Sequence, residues 1–343
     1  MTPVGFGDSV EGTKNAHPAG SWFVVGGAGF IGSHLVDRLL ASTGVDGVRV
    51  YDNFSSGREW HQAPHANDRR LTTIRGDAKD LSALQDAMAG CDVVVHLASN
   101  PDIAKAMTEP RVDFDDGTQL TFNVLEAMRS AGPRRILYAS GSGVYGDVGD
   151  LEVDEDHGPL VPVSTYGASK LAGEAMIAAY CAMFDMSGRA FRFGNVVGAR
   201  QTHGVGFDFL RKLIADPRRL EILGDGNQSK SYIHIDDVLD AMLLAGEAME
   251  EPYRVYNVAT GDYITVREIA DLAVECAGLD RDEVEYEFGG GDRGWKGDVP
   301  VVRLNTERIR DLGWRCRRTS DEAVRAALGH MLAESDRLFG THG

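Results

Sequence analysis

Tyr166 and Lys170 stand four residues apart in the run Tyr-Gly-Ala-Ser-Lys, so on a helix both side chains share one face. An isolated phenol ionises near pH ~10, too high for a base at neutral pH. An ammonium group one turn away stabilises the phenolate and brings that value down. The pair is a candidate for taking a proton from a hydroxyl that is being oxidised. Oxidation needs a hydride acceptor, and Gly26, Gly29 and Gly32 in GGAGFIG have the spacing of a dinucleotide cradle. Glycine there permits a tight turn, lets backbone approach a pyrophosphate and lets strand and helix pack closely. The helix opening at Phe30 and Ile31 supplies N–H donors and a favourable dipole. Asp52, 20 residues beyond Gly32, can accept hydrogen bonds from both adenosine ribose hydroxyls and would repel a 2′-phosphate, which favours NAD over NADP. Arg58 is the nearby cation that argues the other way. Asp77, with Ala78, can meet the adenine amine, and Leu97, Ala98 and Ser99 offer small residues against which a cofactor can lie.

These residues need a frame. Short β-branched runs at 21–25, 48–51, 72–74, 93–97, 135–139 and 189–193 alternate with helical stretches at 31–41, 81–89, 118–130 and 166–184. That alternation predicts a Rossmann-type, doubly wound α/β fold, a parallel sheet covered on both faces. The glycines fall at the first strand-to-helix turn, the context their motif requires. After about residue 197 short apolar pieces at 220–223, 231–235 and 254–258 sit among Gly, Asp and Arg, with helices expected at 236–248 and 266–277, the latter capped by Thr265. The expected division is a flexible tail at 1–20, a dinucleotide-binding domain at 21–197 rejoined by 232–262, and a smaller interleaved C-terminal substrate lobe made of 198–231 and 263–343.

The chain of 343 residues is long enough for a substantial core. A formal charge of −17 speaks against nucleic acid or anionic membranes as partners, and no apolar run approaches the roughly 18 residues of a membrane span. The N-terminal segment has no basic stretch leading into an apolar one and does not read as a signal peptide. Four cysteines without CxxC spacing fit buried thiols in a reducing cytoplasm. No HExxH or comparable ligand spacing appears, so no metal is expected. His61, His65, His96, His203 and His234 read as ordinary surface or hydrogen-bonded core histidines, with His203 the one nearest the expected sugar pocket.

The set VGGAGFIG, DNFSSG, HLAS, YASGSGVYG and YGASK resembles the extended short-chain dehydrogenase/reductase family, specifically its nucleotide-sugar epimerases, decarboxylases and dehydratases. The resemblance implies bound NAD, a UDP-type nucleotide sugar and oxidation of the sugar at C4, with Tyr166 taking the O4 proton. It assigns Asn53, Phe54, Ser55, Ser56 and Gly57, after Asp52, to the cofactor. It assigns Asn195, Leu223, Lys230, Tyr232 and Arg293 to the nucleotide sugar, Lys230 standing where the family usually has Arg. It also implies a homodimer formed through the helices at 118–130 and 166–184, whose apolar stripes are Phe122/Leu125/Met128 and Leu171/Ala175/Ile177/Ala178.

One departure bears on the reaction. The family's Ser or Thr three positions before its Val-Tyr-Gly falls on Gly141, flanked by Ser140 and Ser142, and Ser142 is the candidate to replace it. Gly117 stands where an Asn is common. The Asp-Glu pair of 4,6-dehydratases is replaced by Ser142 and Gly143, which argues against dehydration. Oxidation of UDP-glucuronate at C4 gives a β-keto acid that loses carbon dioxide with little further acid–base help, so the leading expectation is a UDP-glucuronate decarboxylase giving UDP-xylose or its 4-ketone. Arg192, Arg200 and Lys105 are its candidate carboxylate partners. A UDP-sugar 4-epimerase is the alternative, and a redox sensor that keeps the cofactor but has lost turnover is the alternative of another class.

Overall fold

The computed structural model describes residues 18–248 and 250–340; most of the expected N-terminal tail, residues 1–17, lies outside them. Seven strands, β1 (Gly20–Val25), β2 (Val45–Asp52), β3 (Leu71–Arg75), β4 (Val93–His96), β5 (Arg135–Gly141), β6 (Ser187–Phe193) and β7 (Tyr253–Val258), form one sheet in the order β7-β6-β5-β4-β1-β2-β3. Every neighbouring pair is parallel. The chain builds outward from β1 through β2 and β3, then returns to the other side of β1 with β4. That reversal places a crevice at the carboxyl ends of β1 and β4, where open α/β sheets hold their ligands.

The central strands are apolar on both faces because both faces are covered. On one side Leu35 and Leu39 of α1 (Phe30–Ala41), with Val238 and Met242 of α6 (Ile235–Glu247), pack against Val24, Val50 and Phe191. On the other, Leu84 of α2 (Leu81–Met88), Val124, Leu125 and Met128 of α3 (Gln119–Ala131) and Ile177 of α4 (Thr165–Met183) pack against Phe23, Val94 and Tyr138. The later lobe has its own core, in which α5 (Val205–Ala215), α7 (Val266–Cys276) and α8 (Ser320–Ala333) enclose Leu220 and Ile222. Thr265 caps α7 in a reciprocal box with Glu268, which satisfies two backbone donors at once.

Two local differences from expectation matter. The helix expected at 118–130 is preceded by a π-helical turn, Phe114–Thr118, a geometry that recurs near functional sites. The apolar stripes do not each form one outward face. Leu125, Met128 and Ile177 are core, whereas Phe122 remains 45% exposed, because the helices bury the side that faces the sheet.

Candidate active site

The glycine-rich turn runs from β1 into α1. Gly26 has φ +83°, and a Cβ on Gly32 would lie 2.3 Å from the Gly26 carbonyl oxygen, so a side chain there would push the helix off the strand. The Asp52 carboxylate accepts from the Ala28 N–H at 2.9 Å and the Phe54 N–H at 2.7 Å. Burial raises its pKa above the ordinary carboxylate value, against the pull of those two N–H groups. Sequence reasoning missed how the turn is buttressed from behind. His61 Nδ1 meets the Ala28 carbonyl at 2.6 Å and Gln62 Nε2 donates to the Gly27 carbonyl at 3.1 Å.

Burial lowers the His61 pKa to about 4 from 6.5, so the neutral ring is the form that fits. A depressed histidine pKa means the unfolded chain binds the extra proton first. His61 therefore contributes stability above pH 6.5 that is lost as pH falls toward 4, about 3 kcal/mol in all. The drop in melting temperature between pH 7 and 4.5 is expected to be smaller in His61→Gln than in the wild type; an unchanged drop would show that the ring does not carry this linkage.

A cavity of about 700 Å³ runs along the carboxyl ends of the strands and into the later lobe, within the range of ligand pockets. Of the residues expected at the cofactor, Gly26, Gly29, Phe30, Ile31, Gly32, Asp52, Asn53, Ser55, Ser56, Asp77, Ala78, Leu97, Ala98 and Ser99 line it, as do Ser142, Tyr166 and Lys170. Phe54 and Gly57 do not; they line a shallow neighbouring groove with Arg58 and Arg75. Arg75 lies over the Phe54 ring and is paired with Glu59 at 2.7 Å. Neither arginine lines the cavity beside Asp52, and the carboxylate there, an acceptor, fits a ribose with free hydroxyls. Of the residues expected at the sugar nucleotide, Asn195, Lys230 and Tyr232 line the cavity; Leu223, 55% exposed, and Arg293 lie outside its lining. Lys230 is paired with Asp298 at 2.6 Å, and Arg293 with Asp147 at 2.5 Å. Asp298, Trp295 and Val302, which sequence reasoning did not single out, complete that wall.

At the centre, Ser164 caps α4 by accepting from the Gly167 N–H at 3.1 Å, which starts the helix one residue before Tyr166. Lys170 is buried, donates to the Ala139 carbonyl at 2.8 Å and lies 5.5 Å from the Tyr166 ring centroid. Burial lowers its pKa to about 8, while Asp113 and Glu174 pull the other way. Burial raises the Tyr166 phenol above its ordinary value, with a hydrogen bond to the Ser99 side chain opposing the rise. A positive charge brought into the cavity would favour phenolate.

The strand that carries the altered serine position is resolved by its register. Ser140 stands opposite Arg192 on β6, and both side chains are engaged by Glu174, which Ser140 meets at 2.5 Å and Arg192 at 2.7 Å; Ser140 borders the cavity and Arg192 does not. Arg192 is thereby spent in a buried ion pair. The other expected carboxylate partners are also placed elsewhere. Arg200 pairs with Asp37 at 2.8 Å and Lys105 with Glu109 at 3.2 Å, and none of the three lines the cavity. Gly141 faces it beside Phe193, and Ser142 follows at the start of a 3-10 turn, also lining it. Gly117 is explained by packing: a Cβ there would sit 2.7 Å from the Ser169 hydroxyl, so the glycine lets the π-helical turn approach α4. His203 lines the cavity rim, and His96 is buried against Thr121 at 3.0 Å. Among the described residues no group of three or more His, Cys, Asp or Glu is placed to hold a metal ion, and no helix is long and apolar enough to cross a membrane.

Residues 22–259 match the model of the NAD dependent epimerase/dehydratase family. The chain belongs to that family. A UDP-glucose 4-epimerase of Mycolicibacterium smegmatis is 34% identical over 85% of this chain and 92% of its own length. Another from Corynebacterium glutamicum is 30% identical over 74% of this chain and 80% of its own. Among solved structures, a UDP-galactose 4-epimerase is 39% identical with a TM-score of 0.80, covering 92% of this chain and 99% of that one. DesIV, a dTDP-glucose 4,6-dehydratase of Streptomyces venezuelae solved with NAD and TYD bound, is 26% identical with a TM-score of 0.84, covering 92% and 98%. MoeE5, solved with UDP-glucuronic acid and NAD, is 29% identical with a TM-score of 0.80, covering 92% and 100%. This member of the family is an NAD-dependent enzyme of nucleotide-sugar chemistry, with the extended short-chain dehydrogenase/reductase fold.

Proposed function

We propose that this family member is a UDP-sugar 4-epimerase acting on a neutral hexose such as UDP-glucose or UDP-galactose. The observation that carries this reading is the cavity lining. Asp52, Tyr166, Lys170 and Lys230 line one continuous space, and its Lys and Arg side chains are Lys79, Lys170 and Lys230 alone among the described residues. Lys79 is paired with Asp116 at 2.7 Å near the cofactor end. A substrate carboxylate beside C4 would meet no arginine or spare lysine there, which weighs against the expected glucuronate decarboxylase. The names of the relatives point the same way. Ser142 and Gly143 in place of an acidic pair weigh against dehydration.

Residues 21–197, rejoined by 232–262, hold NAD, which supplies the hydride acceptor and donor when bound. Residues 198–231 and 263–343 hold the nucleotide, with Lys230 and Asn195 toward the diphosphate, while Arg293 and Leu223 stay outside the cavity lining. Tyr166 accepts the O4 proton as phenolate and returns it after the keto sugar has turned over within the cavity. Lys170 stabilises that phenolate, and Ser142 donates to O4. Phe122 and Met183, exposed on α3 and α4 at 45% and 70%, support a homodimer through those helices, a mass that sedimentation measures. Four free cysteines fit a cytoplasmic setting.

Purified protein with NAD is to be incubated separately with UDP-glucose, UDP-galactose and UDP-glucuronate, and the products read by mass spectrometry and proton NMR. Inversion at C4 of the neutral sugars with unchanged mass is expected. Loss of carbon dioxide from UDP-glucuronate alone would overturn this reading in favour of the decarboxylase.

A further inference from the structure

The buried carboxylate of Asp113 is used by none of the steps above. It is 1% exposed at the end of the short helix Arg111–Asp113, directly before the π-helical turn. One oxygen accepts from the Asn100 side-chain amide at 2.8 Å, and the other from the Thr165 hydroxyl at 2.6 Å. Asn100 lines the cavity just beyond Ser99, in the loop that follows β4. Thr165 is the first residue of α4 and precedes Tyr166. The carboxylate therefore ties the cofactor-facing loop to the first turn of the catalytic helix, where a negative charge also suits the helix dipole. Gly117 brings this segment against α4 closely enough for the tie to form.

Resting on the acid–base role given above to Tyr166 and Lys170, we propose that Asp113 is a positioning residue of this reaction, whose buried charge holds the first turn of α4 in register and sets the field in which Tyr166 exchanges its proton. Tyr166 follows Thr165 directly and Lys170 lies one turn further along α4, and the Asp113 charge raises the pKa of both. From the preceding loop come Asp102 and Lys105, both exposed, with Lys105 paired to Glu109. On its own segment Arg111 pairs with Asp115 and Asp116 with Lys79, at the surface. Behind Tyr166 and Lys170 lie three more buried titratable groups, Glu174 and His96 acting on Lys170 and Tyr138 beside both, and each of them is unchanged in the variants below. A negative charge at Asp113 disfavours phenolate and favours ammonium, so its removal moves both ionisations to lower pH.

The test compares wild type, Asp113→Asn and Thr165→Val, each bound to NAD. The titration of Tyr166 is read as tyrosinate absorbance after subtracting the matching Tyr166→Phe protein, and the pH profile of kcat is read alongside. Asp113→Asn is expected to move the Tyr166 titration and the acid limb of kcat down by about 1 pH unit. Thr165→Val, which removes one strut but keeps the charge, is expected to leave both in place and to lower kcat about 10-fold with little change in KM. The proposal is overturned if Asp113→Asn leaves the Tyr166 titration where it is. If Asp113→Asn does not fold, an unchanged kcat in Thr165→Val overturns it instead. The absorbance reading needs no turnover, so a wild type inactive on UDP-sugars would refute the proposed function without touching this inference.

Discussion

Tyr166→Phe is expected to lower kcat on the UDP-sugar by about 10²- to 10⁴-fold, the span of a lost general base. The substitution removes one hydroxyl and keeps the ring that packs beside Lys170. Affinity for NAD and KM for the sugar nucleotide should stay within about twofold of wild type. That split locates the loss in the chemical step. The pH dependence adds a second signature. Burial raises the phenol's pKa and holds Lys170 at about 8, so in the wild type kcat/KM should climb with pH until Lys170 gives up its proton. The residual rate of Tyr166→Phe should lack that climb. Steady-state kinetics with tritium or NMR detection of C4 inversion measures both. A loss of only a few-fold would mean that another group takes the O4 proton, and the proposed mechanism would have to be abandoned.

Ser142→Ala is expected to lower kcat by about 10²-fold, the effect of removing one hydrogen-bond donor from a developing oxyanion, and adding Gly141→Ser to it is expected to restore most of the rate. The argument rests on backbone geometry. Gly141 is extended, with φ −161° and ψ 163°, so serine adopts the same conformation without strain. A Cβ there meets nothing within 4 Å. The side chain of residue 141 would leave the strand on the same face as Phe193, which lines the cavity. Moving the hydroxyl by one residue therefore trades the displaced donor at 142 for one held on the strand itself. The double variant should also be slightly more stable thermally, because replacing glycine narrows the unfolded ensemble. A neutral Ser142→Ala would show that this hydroxyl does not touch the reacting oxygen. A double variant no better than Ser142→Ala would show that position 141 does not reach it.

Much of this molecule was legible in the chain because it is written locally. Strand, glycine turn and helix follow one another between Gly20 and Ala41, so the motif and its context lie in one window. Tyr166 and Lys170 need only the 3.6-residue period to meet. The charge of Asp52 and its distance from Gly32 are likewise linear facts. The family resemblance drew on such runs, and the fold expected from them is the fold observed.

What the tertiary structure decided were the contacts between residues far apart in sequence and the direction of each side chain. Arg192 looked like a candidate for a substrate carboxylate until the register of β5 and β6 turned it, with Ser140, toward Glu174. In a strand the face alternates at every residue, and one position separates a cavity wall from the core. That same alternation left Gly141 and Phe193 facing the cavity. Gly117 reads as a lost asparagine in the sequence, and becomes intelligible only when Ser169 is found against it. Asp113 carries no signal at all in the chain, because its partners lie 13 and 52 residues away. A local pattern can specify which element a residue joins, but only the packing of those elements fixes which charges are buried together, and burial is what gives a charge its strength over chemistry.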